Sequence, residues 1–299
     1  MDATALIQEL NPVVSDLVDR HMRTAKEWFP HEMVPYSRGR DFQPDEVWNP
    51  DQSPMSEAVR SALLVNLLTE DNLPYYFREV SGFDTSDAWR TWAQRWTAEE
   101  GRHSIVLRDY LTVTRAIDPV GLERARMQQV SDGVAPVTES AIDGLVYVTL
   151  QELATRIAHR NTGQLIDDPV GEAIMSRVAA DENLHFLFYR DLATAALTLD
   201  PSTVVIAIEQ RVCNFAMPGV GITNFATHAK RIAGAGIYDF AVHHDQILVP
   251  VVARHWGLAE IEGLSPEAEA ARDRTLAYID RIGRVAQRTR DRRQTLASA

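Results

Sequence analysis

Two stretches of this chain decide its fold, RWTAEEGRHSIVLRDYL (95–111) and AADENLHFLFYRDL (179–192). Each contains one Glu-x-x-His unit: Glu100 with His103, and Glu182 with His185. On an α-helix, residues three apart project from the same face, so each unit can present a carboxylate and an imidazole to one metal ion. One such unit is weak evidence among 42 acidic residues and nine histidines. Two units in equivalent helices are strong evidence.

The two stretches belong to an internal repeat. A constant offset of 82 residues, from position 100 to position 182, superimposes both units. The same offset relates further pairs: Glu70 to Glu152, Arg108-Asp109 to Arg190-Asp191, and Asp118-Pro119 to Asp200-Pro201. Identities at one offset indicate two helix pairs related by a pseudo-twofold axis.

Apolar side chains recur at helical spacing throughout the chain, and strand patterns are scarce. The four helices of the repeat are expected to begin at Ser56, near Ser86, around Thr138 and at Asp168. We expect them to end at Glu70, Asp118-Pro119, Gly163 (as a C-terminal glycine cap) and Asp200-Pro201, with a later break at Met217-Pro218-Gly219. The pattern predicts an all-α, ferritin-like four-helix bundle at about 56–200 with additional helices. We expect one domain, 1–299, with a C-terminal helical extension from about 255.

The ligand inventory of the repeat matches that of bundles with two irons, which use one Glu from each of two helices and Glu-x-x-His from each of the others. Six metal ligands are predicted: Glu70, Glu100, His103, Glu152, Glu182 and His185. Two Fe(II) ions would balance four carboxylates that are costly to bury unpaired, and oxygen with imidazole ligands suits iron or manganese. The alternative is a polar network without metal.

Each Glu-x-x-His unit is preceded by a further acid, Glu99 in one helix and Asp181 in the other. Metal-bound histidines usually donate their second N–H to a carboxylate. We therefore expect crosswise hydrogen bonds, Asp181 with His103 and Glu99 with His185.

Composition argues against several other classes of protein. The net charge of -12 disfavours nucleic acid as the main partner. No stretch approaches the ~20 apolar residues of a membrane span, and the acidic N-terminus lacks a signal-peptide layout. The single Cys213 argues against an internal disulfide or an all-protein iron–sulfur site. A reducing, cytoplasmic location is the simplest expectation.

Several longer stretches resemble the soluble acyl-[acyl-carrier-protein] desaturases of plants and bacteria, close to the mycobacterial branch. The matching stretches are WFPHEMVPYSRGRDF (28–42), WNPDQSP (48–54), LLTEDNLPYYFRE (67–79), VYVTLQELATRIAHRNTG (146–163) and MPG (217–219), together with the two Glu-x-x-His stretches. The likeness covers roughly residues 5–255. The six predicted ligands fall on the ligand positions of that family.

The resemblance also implies roles for residues around the metal. Thr155 matches a threonine beside the oxygen-binding face, although a helix threonine bonded to its own backbone is the alternative. Trp28, with Asp181 and His103, matches the proposed electron route of the family. Gly144 and Leu145 fall where the family lines its acyl channel, and a close helix contact is the other explanation for the glycine.

The implied reaction is O2-dependent insertion of a double bond into an acyl chain held on acyl carrier protein, at two Fe ions (Fe2+/Fe3+) per chain. Ferredoxin is the implied electron donor and a homodimer the implied assembly. Basic residues at Arg20, Arg23 and Lys26 are a candidate docking surface for the acidic carrier protein, and solvated helix faces are the alternative.

Three other functions remain compatible with the same ligands. One is hydroxylation of a carrier-bound acyl intermediate, and another is iron storage or detoxification on a ferritin-like bundle. The third is a radical-generating subunit of ribonucleotide reductase, which requires a tyrosine packed beside the irons, with Tyr110 and Tyr189 as candidates.

Overall fold

The computed structural model describes residues 3–43 and 45–297, and within these ranges the regular structure is helical. The α-helices are α1 (Ala3–Glu9), α2 (Asn11–Thr24), α3 (Pro30–Met33), α4 (Glu57–Glu70), α5 (Leu73–Ser81), α6 (Asp87–Val113), α7 (Pro119–Asp132), α8 (Ala141–Gly163), α9 (Pro169–Leu199), α10 (Pro201–Cys213), α11 (Phe225–Gly234), α12 (Phe240–His243) and α13 (Pro266–Ala297). A π-helical segment, His244–His255, continues α12. Short 3-10 helices lie at Tyr36–Arg38, Pro50–Gln52, Pro218–Gly221 and Leu258–Glu260.

Polar caps fix where the bundle helices begin. The side chains of Ser56, Ser86 and Ser140 each accept a hydrogen bond from the backbone N–H three residues later. This bond satisfies one of the donors that a helix start leaves free. Asp168 caps α9 immediately before Pro169, as predicted. The repeated Asp-Pro pairs, Asp118-Pro119 and Asp200-Pro201, likewise cap and begin α7 and α10.

Three predicted boundaries are wrong. Helix α6 ends at Val113, before Asp118-Pro119, and Arg115 two residues later adopts a left-handed conformation with φ of 53°. Helix α8 begins at Ala141 instead of Thr138, because Ser140 provides the cap. Gly163 is the last residue of α8 and the C-cap is Gln164, so the glycine is not the cap.

Helices α4, α6, α8 and α9 form a closed bundle. Helix α4 packs on α6, α6 on α9, α9 on α8, and α8 back on α4. The two sequential pairs of the repeat therefore face each other, and the predicted all-α, ferritin-like bundle is confirmed. The C-terminal helix α13 packs on α10, which lies against α8 and α9.

Helices outside the repeat cover the bundle. The N-terminal helix α2 lies across α6 and α9, α5 packs on α6, and α11 packs on α4. Trp89 and Trp92 of α6 are at most 1% exposed and pack with Phe188 and Tyr189 of α9. Among the described residues, no helix combines the length and apolarity needed to cross a membrane. The centre of the bundle, by contrast, is polar.

Candidate metal centre

The six predicted ligands converge at the centre of the bundle, where each is at most 6% exposed. Their donor atoms form two overlapping groups in which all atoms lie within 4.8 Å of one another. Subsite A comprises Glu70, Glu100, His103 and Glu182, and subsite B comprises Glu100, Glu152, Glu182 and His185. Each subsite has one glutamate and one histidine of its own. Because Glu100 and Glu182 belong to both, these two carboxylates are suited to bridge a pair of ions.

Distances within the subsites match donor atoms arranged around an ion. His185 Nδ1 lies 2.8 Å from Glu100 Oε1, and His103 Nδ1 lies 3.3 Å from both Glu100 Oε2 and Glu182 Oε1. Bonds of about 2.0–2.2 Å to one ion would place adjacent ligand atoms about 3 Å apart. The distances to Glu70 Oε2 from His103 Nδ1 and to Glu152 Oε2 from His185 Nδ1 are longer, 3.8 and 3.7 Å.

The same atoms lack protein hydrogen-bond partners. His103 Nδ1, His185 Nδ1, Glu100 Oε1 and Glu152 Oε2 are buried and unpaired within the described part of the chain. Buried polar atoms are normally hydrogen-bonded, so a group of unpaired atoms facing one point requires another partner. The donors fit divalent ions with oxygen and nitrogen ligands, and these clusters can hold metal.

Without ions, the cluster compensates its charge with protons. Burial raises the pKa of the Glu152 carboxyl well above its ordinary value, and the nearby charge of Glu182 raises it further. Burial lowers the pKa values of His103 and His185, but Glu100 and other carboxylates outweigh this effect and raise both well above the ordinary value. Metal ligands must bind in deprotonated form, so metal uptake at this cluster would be coupled to proton release.

Both expected crosswise hydrogen bonds are present. His103 Nε2 lies 3.5 Å from Asp181 Oδ2, and His185 Nε2 lies 2.9 Å from Glu99 Oε2, with both acids 2% exposed. With Nε2 of each histidine directed at an outer acid, Nδ1 faces the cluster and is the atom available to a metal ion. The acids thereby fix the tautomer and orientation of each imidazole.

Trp28 extends the Asp181 contact toward the surface. Its indole N–H donates to Asp181 Oδ2 at 2.7 Å, and its ring stacks near that of His103 with an interplanar angle of 11°. Burial raises the pKa of the Asp181 carboxyl, but its bonds with His103 and Trp28 bring the value down to about 2. Arg102 lies over the indole, 4.9 Å from its centroid. The three residues of the implied electron route are thus in contact.

His21 is a participant that the sequence analysis missed. It is 4% exposed, and its Nε2 lies 2.9 Å from the same Glu99 oxygen that contacts His185. A signal was available, because Val14, Leu17 and Val18 share the buried stripe of α2 with His21 at helical spacing. That stripe indicates burial, but it does not indicate which acid the histidine meets.

Thr155 and His159 lie one and two turns beyond Glu152 on α8. The Thr155 hydroxyl lies 2.8 Å from Glu182 Oε2 and also within reach of its own helix carbonyls, so the backbone contact expected as the alternative is present, and the role at an oxygen-binding face stays a prediction. His159 Nε2 lies 3.1 Å from Glu70 Oε1. His159 is therefore placed to orient the Glu70 carboxylate.

Three cavities form a series past the cluster. The first lies between α4, α8 and α11 and shares Thr69, Glu70 and Thr155 with the middle cavity. The middle cavity shares Tyr76, Trp96 and Gln151 with the third. The middle cavity is small, about 10 Å³, and is lined by Glu70, Glu100 and Glu182, so the first and third cavities lie on either side of the candidate metal centre.

The predicted channel residues Gly144 and Leu145 do not line these three cavities. A Cβ on Gly144 would lie 2.3 Å from the Phe83 ring, so the glycine permits a close contact. Phe83 itself lines the third cavity, together with Tyr147 and Val148 of α8. Gly144 therefore affects the third cavity indirectly, because it lets the Phe83 ring, which lines that cavity, pack close to α8.

The two tyrosines considered for a radical role differ in position. The Tyr110 hydroxyl donates to Asp168 at 2.9 Å, at the start of α9, and has no contact with the cluster among the described residues. Tyr189 is fully buried, packs on Trp92 one turn beyond His185, and its hydroxyl has no hydrogen-bond partner in the described chain. Of these two tyrosines, Tyr189 is the one near the cluster: burial and then the charge of Glu152 raise its pKa well above the ordinary value.

A closed four-helix bundle with two carboxylate–histidine clusters at its centre defines the class of ferritin-like carboxylate proteins. Within that class, the sequence profile described as "Fatty acid desaturase" matches residues 2–299, and the chain belongs to this family.

Named relatives agree with this assignment. The chain is 42% identical over 285 residues to the acyl-[acyl-carrier-protein] desaturase DesA1 of Mycobacterium tuberculosis, covering 92% of this chain and 84% of that protein. It is 31% identical over 256 residues to the chloroplastic stearoyl-[acyl-carrier-protein] 9-desaturase 6 of Arabidopsis thaliana, covering 78% and 64%. The X-ray structure of DesA2 from M. tuberculosis H37Rv superimposes with a TM-score of 0.73 at 30% identity, covering 89% of this chain and 99% of that one.

Proposed function

We propose that this protein is an acyl-[acyl-carrier-protein] desaturase that inserts a double bond into a carrier-bound fatty acyl chain. The observation that supports this proposal best is a group of mostly apolar cavities beside a centre of buried carboxylate and imidazole donors. Its relatives carry the corresponding names. A protein that only stores iron has no need of an apolar passage beside the ions.

Two iron ions, one in subsite A and one in subsite B, are the proposed cofactor. When bound, they would alternate between Fe2+ and Fe3+ and supply, with O2, the oxidising chemistry that removes hydrogen from an unactivated methylene. The protein residues hold and orient the centre. Asp181 and Glu99 fix the two histidines, His159 fixes Glu70, and Trp96 Nε1 donates to Glu152 Oε1 at 3.1 Å.

The substrate passage is mostly apolar. Ile232, Phe225 and Met217 line the first cavity, and Val148 and Phe83 line the third. An extended acyl chain would gain about 0.8 kcal/mol for each methylene group that it buries there. Thr155 lines both the first and the middle cavity, which supports the proposed role of its hydroxyl as a hydrogen-bond donor to oxygen bound at the centre.

Ferredoxin is the proposed electron donor, with Trp28 as the point of entry. Exposed Met22 and Phe29 and the exposed cations Arg23 and Lys26 lie within seven residues of Trp28 along the chain. An acidic donor docked there would be separated from the cluster by the contacting groups of Trp28, Asp181 and His103. The contacts that run from Trp28 through Asp181 to His103 support electron entry at this surface. Arg20, the third basic residue predicted there, is engaged by Asp191 at 2.6 Å.

A homodimer is the proposed assembly. Helix α7 exposes Val120, Met127 and Val130, which are 53%, 70% and 47% accessible. Apolar residues exposed along one helix are typical of surfaces that another subunit covers.

The decisive experiment is a turnover assay with iron-loaded protein, ferredoxin, its reductase, NADPH, O2 and a panel of acyl-carrier-protein thioesters, read by mass spectrometry of the released acids. We expect a product lighter by two hydrogen atoms, absent in Glu152→Gln. A product heavier by one oxygen atom would move the assignment to hydroxylation. Uptake of many irons per chain without acyl product would favour iron storage.

Bulky substitutions test the passage. Val148→Trp in the third cavity and Ile232→Trp in the first should block an extended chain, so turnover should fall more for long acyl chains than for short ones. Ile105→Trp is the matched control, because Ile105 is 50% exposed on the outer face of α6. Equal loss for all chain lengths would show that the cavities are not the acyl passage.

A further inference from the structure

His21 and His185 hold the same oxygen of Glu99 from two sides. Each Nε2 lies 2.9 Å from Glu99 Oε2, and the three side chains are 4%, 0% and 2% exposed. His21 Nδ1 has no partner within the described chain, so the hydrogen on the ring is best placed on Nε2, donated to Glu99. The edge of the Trp92 ring system meets the His21 ring at a centroid distance of 5.0 Å and 83°, which fixes the imidazole plane.

The arrangement has a counterpart across the pseudo-twofold axis. On the subsite A side, Trp28 donates a ring N–H to Asp181, which contacts His103. On the subsite B side, His21 donates to Glu99, which contacts His185. In both cases the donor ring also stacks near the ligating imidazole, at centroid distances of 6.4 and 5.9 Å.

The repeat supplies the acid and the candidate ligand histidine on each side. It does not supply the outer ring, which is the His21 or Trp28 ring that donates to the acid. His21 and Trp28 both come from the N-terminal part of the chain, which precedes the repeat. The two halves also share an arginine one turn before the acid. Arg95 donates to Glu99 Oε1 at 2.6 Å, and Arg177 bonds the equivalent Asp181. The outer ring is therefore a clear chemical difference between the two sides.

We propose that His21 is a positioning residue for subsite B. It holds Glu99 in line with His185 and thereby affects the metal affinity and electronic environment of subsite B more strongly than those of subsite A. A carboxylate that is bonded to a ligating imidazole orients it and raises its basicity. Because Glu99 Oε2 divides its charge between two imidazole donors, loss of His21 changes both the position of the acid and the charge that it offers to His185. This inference rests on the proposed two-ion centre.

The test measures the two subsites separately in the full-length protein. His21→Phe keeps the ring packed on Trp92 but removes the N–H, and Trp28→Phe is the matched change on the other side. Co²⁺ titration of metal-free protein, followed by visible absorption, reports two binding steps. Mössbauer spectra of the iron-loaded protein report one quadrupole doublet for each ion.

We expect His21→Phe to weaken one Co²⁺ step about tenfold, at the low end of the effect of losing an outer partner, and to shift one doublet. Trp28→Phe should affect the other step and the other doublet. Unchanged binding and spectra in His21→Phe, or equal changes at both ions, would overturn the assignment. If the wild-type protein binds neither Co²⁺ nor iron in two steps, the proposed metal centre fails first, and this inference fails with it.

A second pair of variants separates positioning from folding. His21→Gln places an amide N–H near the position of Nε2, whereas the shorter His21→Asn does not reach it. The assignment is supported if His21→Gln shows the Co²⁺ binding and Mössbauer spectra of the wild-type protein whereas His21→Asn is altered at subsite B. Both variants must have the same helix content by circular dichroism. Identical behaviour of the two variants contradicts it, whether or not His21→Phe folds.

Discussion

Replacing Glu152 by Gln should change stability in opposite directions with and without metal. Glu152 is fully buried, its Oε2 has no partner in the described chain, and its Oε1 accepts from Trp96. Burial, followed by the charge of Glu182, raises its pKa well above 4.5, so folding without ions favours the protonated form of this carboxyl. A neutral amide of the same shape avoids the cost of protonation and can still accept from Trp96.

The magnitude follows from the pH interval. At pH 7, 2.5 pH units above the unfolded value of 4.5, protonating the carboxyl costs at most about 3.5 kcal/mol, since each unit is worth about 1.4 kcal/mol. We expect metal-free Glu152→Gln to be about 1–3 kcal/mol more stable than wild type at pH 7. Because the folded-state pKa of Glu152 is raised, the wild-type protein loses stability relative to the variant as pH rises above 4.5. The stability advantage of Glu152→Gln should therefore be largest at neutral pH and should vanish as pH falls to about 4.5.

The assay is urea unfolding, followed by circular dichroism, in chelator and in anaerobic Fe²⁺ solution. With metal bound, the order should reverse, because wild type retains a full ligand set and gains the larger stabilisation from binding. A metal-free variant that is less stable than wild type would refute the reasoning. So would an equal response of the two proteins to Fe²⁺.

Three further outcomes are expected. Co²⁺ loading at pH 7 should release protons, because His103, His185 and Glu152 have raised pKa values without ions. The affinity for Co²⁺ should therefore decrease as the pH is lowered. An indicator dye measures the proton release, and no release would contradict the assigned protonation. Gly144→Ala should cost about 1–3 kcal/mol of unfolding free energy through its clash with Phe83, and Phe83→Leu should relieve that loss in thermal denaturation if the ring is the cause. Arg211→Met should cost about 3–5 kcal/mol by leaving buried Asp143 without its partner; adding Asp143→Asn should recover much of the loss in urea unfolding, and no recovery would show that another contact of Arg211 matters more.

The sequence by itself determined the helices and the side chains that meet at their centre. Helical periodicity and caps are local properties, so Ser56, Ser86 and Asp168 mark helix starts without knowledge of the fold. Spacing of three residues places Glu100 beside His103, and the offset of 82 gives the second half. Once four helices of this kind must bury their carboxylates together, the members of the cluster follow. That these residues bind iron stays a prediction.

Where the sequence analysis failed, the deciding effects were local alternatives of nearly equal quality. Ser140 competes with Thr138 as the cap of α8, and the side chain of Ser140 is the one that accepts the hydrogen bond. Gly163 ends α8 as a helical residue packed close to Met175, so packing explains this glycine better than capping. Neither outcome is visible in periodicity alone.

Only the tertiary structure decided how the rest of the chain meets the cluster. His21 and Glu99 are 78 residues apart, and Trp28 and Asp181 are 153 apart. Such contacts depend on how α2 crosses α6 and α9, which is set by packing of whole helix surfaces and not by any local pattern. The cavity series also exists only where several helices leave space between them. The sequence therefore specifies the candidate ligands, whereas the packing of helices outside the repeat determines what surrounds each ligand and makes the two subsites different.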